Sequence, residues 1–346
     1  MANADFTAAL RALPKAELHV HLEGSIRPRT AVELAARHGV ALSEQEAAAR
    51  YQYTDFLGFL EAFKWVMSFL REPADYALIT RRLGEELLGQ GVVYAEVIVA
   101  VGGMLRRNQD SEAKFQAMAE AAQEFERRGL TIRWIPDGAW HLGPDAALEV
   151  ARQAVQWKSL GVIGFGMGGD ELKYPYQEFR AAYELAAEHG LRRTAHAGEM
   201  GPPQRIRDAV ELLGAERIGH GIATMHDPAL AELLMARRIP LEVCPVSNIC
   251  TGALAKQLGK ASATLAEHPL KRLFDAGVPV TLATDDPAMF HTDLLSEYGN
   301  CATMGFTLAE TVRLAGQSFE HAFLPANQKQ AFLNRFRARA HGLGLI

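Results

Sequence analysis

The chain is poor in cysteine, with three in 346 residues, at Cys244, Cys250 and Cys301. An odd, sparse set is no disulfide framework and fits a reducing compartment. Charge of one sign is also lacking. The formal net charge is −5 with no long run of like charges, so the basic face of a nucleic-acid-binding protein does not stand out. Long hydrophobic runs are missing too. The most apolar stretch, 91–105, is shorter than the ~20 residues that cross a bilayer and carries Glu96. The opening MANADFTAALRALPKAELHVHLEGS has no basic segment followed by a long apolar one, so no secretory leader is expected. These absences lead us to expect a soluble cytoplasmic protein with neither nucleic-acid nor membrane partners.

What is present is core-forming material, with 49% of residues hydrophobic. No Pro/Gly/Ser-rich linker or low-complexity tract divides the chain, so residues 1–346 read as one domain. Short apolar runs alternate with longer amphipathic stretches, the pattern of parallel βα units. Strands are expected at 16–22, 92–99, 131–136, 161–166, 192–196, 217–219, 240–243 and 279–283. Helices are expected at 76–90, 111–128, 145–160, 176–189, 204–213 and 228–237. Eight such units close into a (β/α)8 barrel of the TIM type. A barrel needs only ~250 residues. The surplus has two homes, an inserted helical segment at 41–71 after the first strand and a helical tail after Thr307. The insertion is rich in aromatics, among them Phe56, Phe59, Phe63 and Trp65. It is expected to pack on the barrel, and a long βα loop also opens on the catalytic face.

Four short stretches carry chemistry. In Glu17-Leu18-His19-Val20-His21, residues two apart on a strand share a face, so His19 and His21 present two imidazoles together. Thr194-Ala195-His196-Ala197-Gly198-Glu199 ends the fifth expected strand and offers a third imidazole. Its carboxyl group, Glu199, can act as a general acid if a closed site raises its pKa. Gly219-His220-Gly221 ends the sixth, with glycines that permit close approach and a histidine placed to orient or deprotonate a water. Thr284-Asp285-Asp286-Pro287 ends the eighth. There Asp285 can bind a metal and Asp286 a substrate. Read singly, each has an ordinary explanation, such as a hydrogen-bonded histidine or a helix cap. Together they fall at the C-terminal ends of expected barrel strands, where barrel enzymes place their active sites. Three histidines and an aspartate suit zinc, with water completing an open site.

In this order and spacing the HxH, HAGE, GHG and TDDP motifs resemble the adenosine deaminase family of the amidohydrolase superfamily, from about Leu13 to Leu324. The resemblance implies hydrolytic deamination of a 6-aminopurine with release of ammonia, and one zinc per chain held by His19, His21, His196 and Asp285. It implies that Glu199 protonates purine N1, His220 helps to activate the attacking water, and Asp286 bonds to N7. Gly169, in Gly168-Gly169-Asp170-Glu171, matches a glycine whose N–H reaches N3. No lysine ends the fourth expected strand, which resembles the one-metal branch.

The substrate is less constrained. Glu23 stands where adenosine-specific relatives have an aspartate that contacts the ribose 5′-hydroxyl, and its extra methylene would crowd that group. Tyr94-Ala95-Glu96-Val97-Ile98 lacks an arginine usual in those relatives, and Cys244-Pro245-Val246-Ser247-Asn248 reads Ser-Asn where they often differ. Adenosine, free adenine and 5′-modified adenosines such as 6-aminodeoxyfutalosine stay open. A bulky 5′ arm needs room and a cation. Arg106, Arg107 and His141 occupy barrel-loop positions that suit one, although solvated surface charge is the plainer reading of each. One rival motif is present. Gly164-Phe165-Gly166-Met167-Gly168-Gly169 fits the dinucleotide-binding G-x-G-x-x-G, but that motif needs a helix to open at once, and Tyr174-Pro175 intervenes. A non-catalytic binding barrel is the third reading, and the intact constellation argues against it.

Overall fold

The computed structural model describes residue 7 and residues 9–346. The expectation drawn from the first residues therefore falls in part outside the described residues. Among the described residues eight strands appear where the apolar runs lie. They are β1 (Lys15–His21), β2 (Val92–Val99), β3 (Thr131–Pro136), β4 (Gly164–Phe165), β5 (Arg192–Ala197), β6 (Arg217–His220), β7 (Leu241–Val243) and β8 (Val280–Leu282). All pair in parallel, as β1-β2-β3 and as β4-β5-β6-β7-β8. Bridges at Trp134–Val162 and Asp137–Gly166 join the two sheets on one side. On the other side Val20 bridges Asp285, which closes the barrel.

β4 is shorter than the 161–166 expected. Gly161 sits at φ 91° and ends the 3-10 turn Trp157–Leu160, so the chain enters the sheet only at Gly164. The helices match the amphipathic stretches, and several open on a proline at the first helical position, as in Pro73–Gly89, Pro144–Gln156, Pro203–Glu211 and Pro228–Arg237. The missing proline N–H has no intrahelical partner at that position in any case. The stretch expected at 176–189 divides into a 3-10 turn, Tyr176–Phe179, and a helix, Arg180–Glu188.

The two surplus segments differ from expectation in extent. The insertion begins before residue 41 and comprises three helices, Pro28–Arg37, Glu44–Arg50 and Phe56–Met67. It is tied down over the strand ends. Tyr51 OH donates to Ile26 O at 2.7 Å, Tyr53 OH donates to Met289 O at 2.7 Å, and the Phe59 and Phe290 rings lie 5.0 Å apart. In the tail, helix Leu308–His321 packs on β8 and β1 and is the barrel's own eighth helix. Only Ala326–Gly342, packed outside it, is additional. Among the described residues no helix is long and apolar enough to cross a membrane.

The interior of the barrel holds charge as well as apolar groups. Arg217, Glu96 and Glu242 are buried, and the guanidinium pairs with both carboxylates. An unpaired charge there would carry a large desolvation cost, so the three groups stand or fall together.

Candidate active site

The four stretches meet at one rim because parallel strands end on the same side. β1 brings His19 and His21, β5 brings His196, β6 ends on His220, and Asp285 and Asp286 follow β8. His21 Nε2 lies 3.2 Å from His196 Nε2 and 3.2 Å from Asp285 Oδ1. His19 Nε2 is 3.4 Å from the same oxygen, and His220 Nε2 is 3.9 Å from Asp285 Oδ2. One donor atom each from His19, His196, His220 and Asp285 lies within 4.8 Å of the others, and His21, Asp285 and Asp286 form an overlapping group.

The backbone is bent to achieve this. His220 and Asp285 have φ of 60° and 65°, the left-handed region that residues with a side chain seldom adopt. Asp285 is held there from both sides. Its N–H donates to His19 O at 2.9 Å and its carbonyl accepts from His21 N–H at 2.8 Å. Such conformations persist where the surrounding fold over-determines them, and they concentrate at functional sites. Gly219 has a steric task. A Cβ there would lie 2.8 Å from His19 Cε1 and 3.2 Å from His196 Cγ, so any other residue would push the imidazoles apart.

The protonation pattern suits a metal. His19 Nδ1 meets Glu242 Oε2 at 2.8 Å, and His196 Nδ1 meets the Met167 carbonyl at 3.1 Å. Both partners accept, so each imidazole donates from Nδ1 and leaves Nε2 for a cation. At His19 burial is outweighed by the Asp285 and Glu242 carboxylates, which push the pKa up to about 10, so Nε2 holds a proton that a metal would displace. Among the described residues His19 Nε2 is buried with no well-formed hydrogen bond, its Asp285 contact apart. Burial, reinforced by the neighbouring histidines, holds His196 well below the usual imidazole pKa and keeps it neutral. Ser247 Oγ donates to Asp285 Oδ2 at 2.6 Å, which leaves Oδ1 facing the imidazoles. This nitrogen-and-oxygen donor set, with an orphaned ligand atom inside it, fits a divalent metal.

A cavity of about 440 Å³ opens on the cluster, and Glu199, His220, Asp285 and Asp286 line it. Phe56, Phe59, Leu60, Phe63 and Met67 line it as well, so the insertion both packs on the barrel and roofs the cavity. Burial and then repulsion by Asp285 and Glu171 raise the Glu199 pKa well above the carboxylate range. Burial and the adjacent Asp285 do the same to Asp286, whose Oδ1 has no hydrogen-bond partner. Gly169, with φ 78°, also lines the cavity.

Several residues were not singled out from the sequence. Glu171 accepts three backbone N–H bonds, from Gly198, Met200 and Gly201, each at 2.7 Å, and so holds the turn that carries Glu199. In the sequence the Gly168-Gly169-Asp170-Glu171 stretch points only to Gly169. Gly24 leaves room for Asp286, because a Cβ at that position would fall 1.7 Å from Asp286 Oδ1. Asp137 follows β3 and lines the cavity with an unpartnered Oδ2; a carboxylate at a strand end was the available signal. Glu242 was detectable as a charge inside the apolar strand β7.

Glu23, expected beside the substrate, does not line the cavity. It is fully buried, and its carboxylate accepts from the Ala100 N–H at 3.2 and 3.3 Å. Burial raises its pKa to about 7. Arg106, Arg107 and His141, by contrast, all line the cavity. Arg107 is not simply solvated surface charge. Its Nε is buried without a partner, its contacts to Tyr76 OH and Gln109 Oε1 are long at 3.5 and 3.4 Å, and it forms no salt bridge among the described residues. The glycine-rich stretch from Gly164 is followed by a loop and then the 3-10 turn Tyr176–Phe179, so it lacks the helix N-terminus that a dinucleotide pyrophosphate requires.

A closed parallel barrel with a histidine–aspartate cluster at its C-terminal rim defines a metal-dependent hydrolase of the amidohydrolase superfamily. The family model described as adenosine deaminase matches residues 14–339, and the chain belongs to that family. It is a hydrolase acting on C–N bonds, a deaminase of 6-aminopurine compounds. It is 39% identical over 333 residues to an aminodeoxyfutalosine deaminase of Streptomyces avermitilis, covering 94% of this chain and 90% of that one. The crystal structure of an adenine deaminase from Arthrobacter aurescens superposes with a TM-score of 0.88 at 31% identity, covering 95% of this chain and 99% of that one. An amidohydrolase from Burkholderia ambifaria, solved with bound Zn, gives a TM-score of 0.85 at 26% identity and covers 98% and 95% of the two chains.

Proposed function

We propose that this enzyme uses zinc to deaminate a 6-aminopurine nucleoside with an extended 5′ arm, of the 6-aminodeoxyfutalosine kind. The carrying observation is the cavity's second chemistry. Beyond Glu199 and Asp286 the cavity is lined by apolar side chains of the insertion and by Arg106 and Arg107. A free base would leave that wall and the weakly engaged Arg107 guanidinium uncovered. An apolar arm with an acidic end would use both, since a guanidinium recognises a carboxylate in a two-point fashion. The similarity to the Streptomyces avermitilis protein supports the same reading. Free adenine is the second reading, favoured by the similarity to the Arthrobacter aurescens structure.

In this proposal His19, His21, His196 and Asp285 hold the zinc, in keeping with the short distances among their donor atoms and with the zinc in the Burkholderia relative. Zinc bound there supplies Lewis acidity, which brings the pKa of a coordinated water towards ~7. The protein's own groups do the rest. Glu199, protonated because it is buried among carboxylates, delivers its proton to purine N1 and so lowers the resistance of C6 to attack by water. Asp286, protonated for the same reason, donates to N7. The Gly169 N–H meets N3. His220 orients the attacking water from its position 3.6 Å from Glu199 Oε2. The 6-amino group leaves as ammonia and the purine keeps the oxygen.

The arm is tested by Arg107→Ala. Its kcat/KM for 6-aminodeoxyfutalosine is expected to fall tenfold or more while that for adenosine stays within about twofold, a difference of about 1.4 kcal/mol. Equal losses on both substrates would contradict the assignment.

A further inference from the structure

His220 is linked to a chain of side chains that reaches away from the metal cluster. Asn248 Nδ2 lies 3.1 Å from His220 Nδ1, and His268 Nε2 lies 3.2 Å from Asn248 Oδ1. The chain ends on the backbone, where Leu270 N–H donates to His268 Nδ1 at 3.1 Å. His220, Asn248 and His268 are all buried.

The end point decides every proton in the chain. A backbone N–H only donates, so His268 Nδ1 accepts and is bare. A neutral imidazole with a bare Nδ1 carries its proton on Nε2. His268 therefore donates to Asn248, which must present its carbonyl oxygen to it. Turning the amide over would set N–H against N–H in a buried place, at the cost of two unsatisfied donors. With Oδ1 so placed, Nδ2 faces His220 and donates to its Nδ1. Burial supports the neutral form of His268, bringing its pKa down to about 3.

We infer that Asn248 and His268 are positioning residues that pin the His220 proton on Nε2, so that His220 faces the reacting water as a hydrogen-bond donor and not as the base that removes its proton. This rests on the reading of the cluster as a deaminase site, but the tautomer itself does not. The direction agrees with the surroundings, because Nε2 faces two oxygens, Glu199 Oε2 at 3.6 Å and Asp285 Oδ2 at 3.9 Å. Once Glu199 has given its proton to purine N1 it is a free carboxylate that can take the water's proton, and His220 stabilises the negative charge that develops on the attacking oxygen. It also explains the Ser247-Asn248 pair. The serine hydroxyl donates to Asp285 Oδ2 and the asparagine amide donates to His220, so neighbouring residues orient two separate groups of the site.

The test is a long-range 1H–15N spectrum of the zinc-loaded protein labelled with 15N-histidine, with His220 assigned by its loss in His220→Gln. The expected result is a bare Nδ1 and a protonated Nε2. A proton on Nδ1 would overturn the inference, whatever the enzyme's activity. Asn248→Asp provides a near-isosteric reversal, since a carboxylate at that position accepts from His220 Nδ1. Above pH 9 its spectrum is expected to show the opposite tautomer, with kcat on any deaminated purine down tenfold or more and KM within about threefold. An unchanged or higher kcat would mean that His220 works as a base. His268→Leu, which frees the amide to turn, is expected to give a mixture of both tautomers. A His220 signal identical to the wild type in that variant would remove His268 from the relay. Absence of deaminase activity with the expected wild-type tautomer would fault the functional reading and leave the relay standing.

Discussion

Gly24 shows how far one hydrogen atom in place of a methyl group can matter. Alanine there puts a carbon within 1.7 Å of an Asp286 oxygen, so the carboxyl must swing away. Displacing a positioned group by about an ångström can cost ~100-fold in rate. Gly24→Ala is expected to lower kcat/KM by ten- to a hundredfold while metal content is unchanged; near wild-type turnover would separate Asp286 from the substrate. Glu199→Gln keeps the shape and removes the transferable proton. Its rate is expected to fall by ~10²–10⁴, the range of general acid catalysis, with zinc retained. Loss of zinc in that variant would make Glu199 a ligand. The cluster of His19, His21, His196 and Asp285 was legible because donor residues at strand ends leave a local pattern. Glu242 shows in the sequence only as a charge in an apolar strand; its role, like those of Ser247 and Glu171, lies in partners far along the chain, such as His19, 223 residues away.

At the scale of elements, the eight strands and most helices were readable from apolar runs, amphipathic stretches and helix-opening prolines. The boundaries that moved have local causes. Gly161, in its left-handed turn, delays β4, and the insertion starts at Pro28 because three short helices replace the single segment expected. Helix Leu308–His321 reads as surplus tail in the sequence because nothing local distinguishes a barrel helix from an appended one. Its packing on β8 and β1 does. The helix Phe56–Met67 lines the cavity on one face, so it is expected to read the distal part of the substrate. Phe63→Ala should raise KM for 6-aminodeoxyfutalosine at least fivefold and leave KM for adenine nearly unchanged. A matching rise for both would make this helix a general support.

The whole molecule couples metal and proton binding to folding. A metal that binds the folded chain alone stabilises it by RT ln(1 + [M]/Kd), about 4 kcal/mol at a thousandfold excess over Kd. The chelated protein is expected to melt several degrees lower and to recover with one equivalent of zinc. Coincident melting curves would contradict a preformed metal site. Acid acts through two neutral histidines outside the ligand set, buried His268 and half-buried His321. Burial lowers His268 to about 3 and His321 to about 4, against 6.5 for the unperturbed side chain. Between those values the unfolded chain binds protons that the folded one does not. They therefore leave stability unchanged above about pH 6.5 and lower it progressively as the pH falls towards 4. His321→Asn should flatten the dependence of melting temperature on pH between 6.5 and 4.5, and an unchanged slope would exclude His321 from it.

The central claim concerns what is attached to the purine. The most direct measurement is kcat/KM of the zinc-loaded protein on 6-aminodeoxyfutalosine, adenosine and adenine, followed by ammonia release. The account predicts the highest value for 6-aminodeoxyfutalosine, by at least tenfold over the other two. A ranking led by free adenine would contradict it and leave the arginine-lined end of the cavity without a substrate.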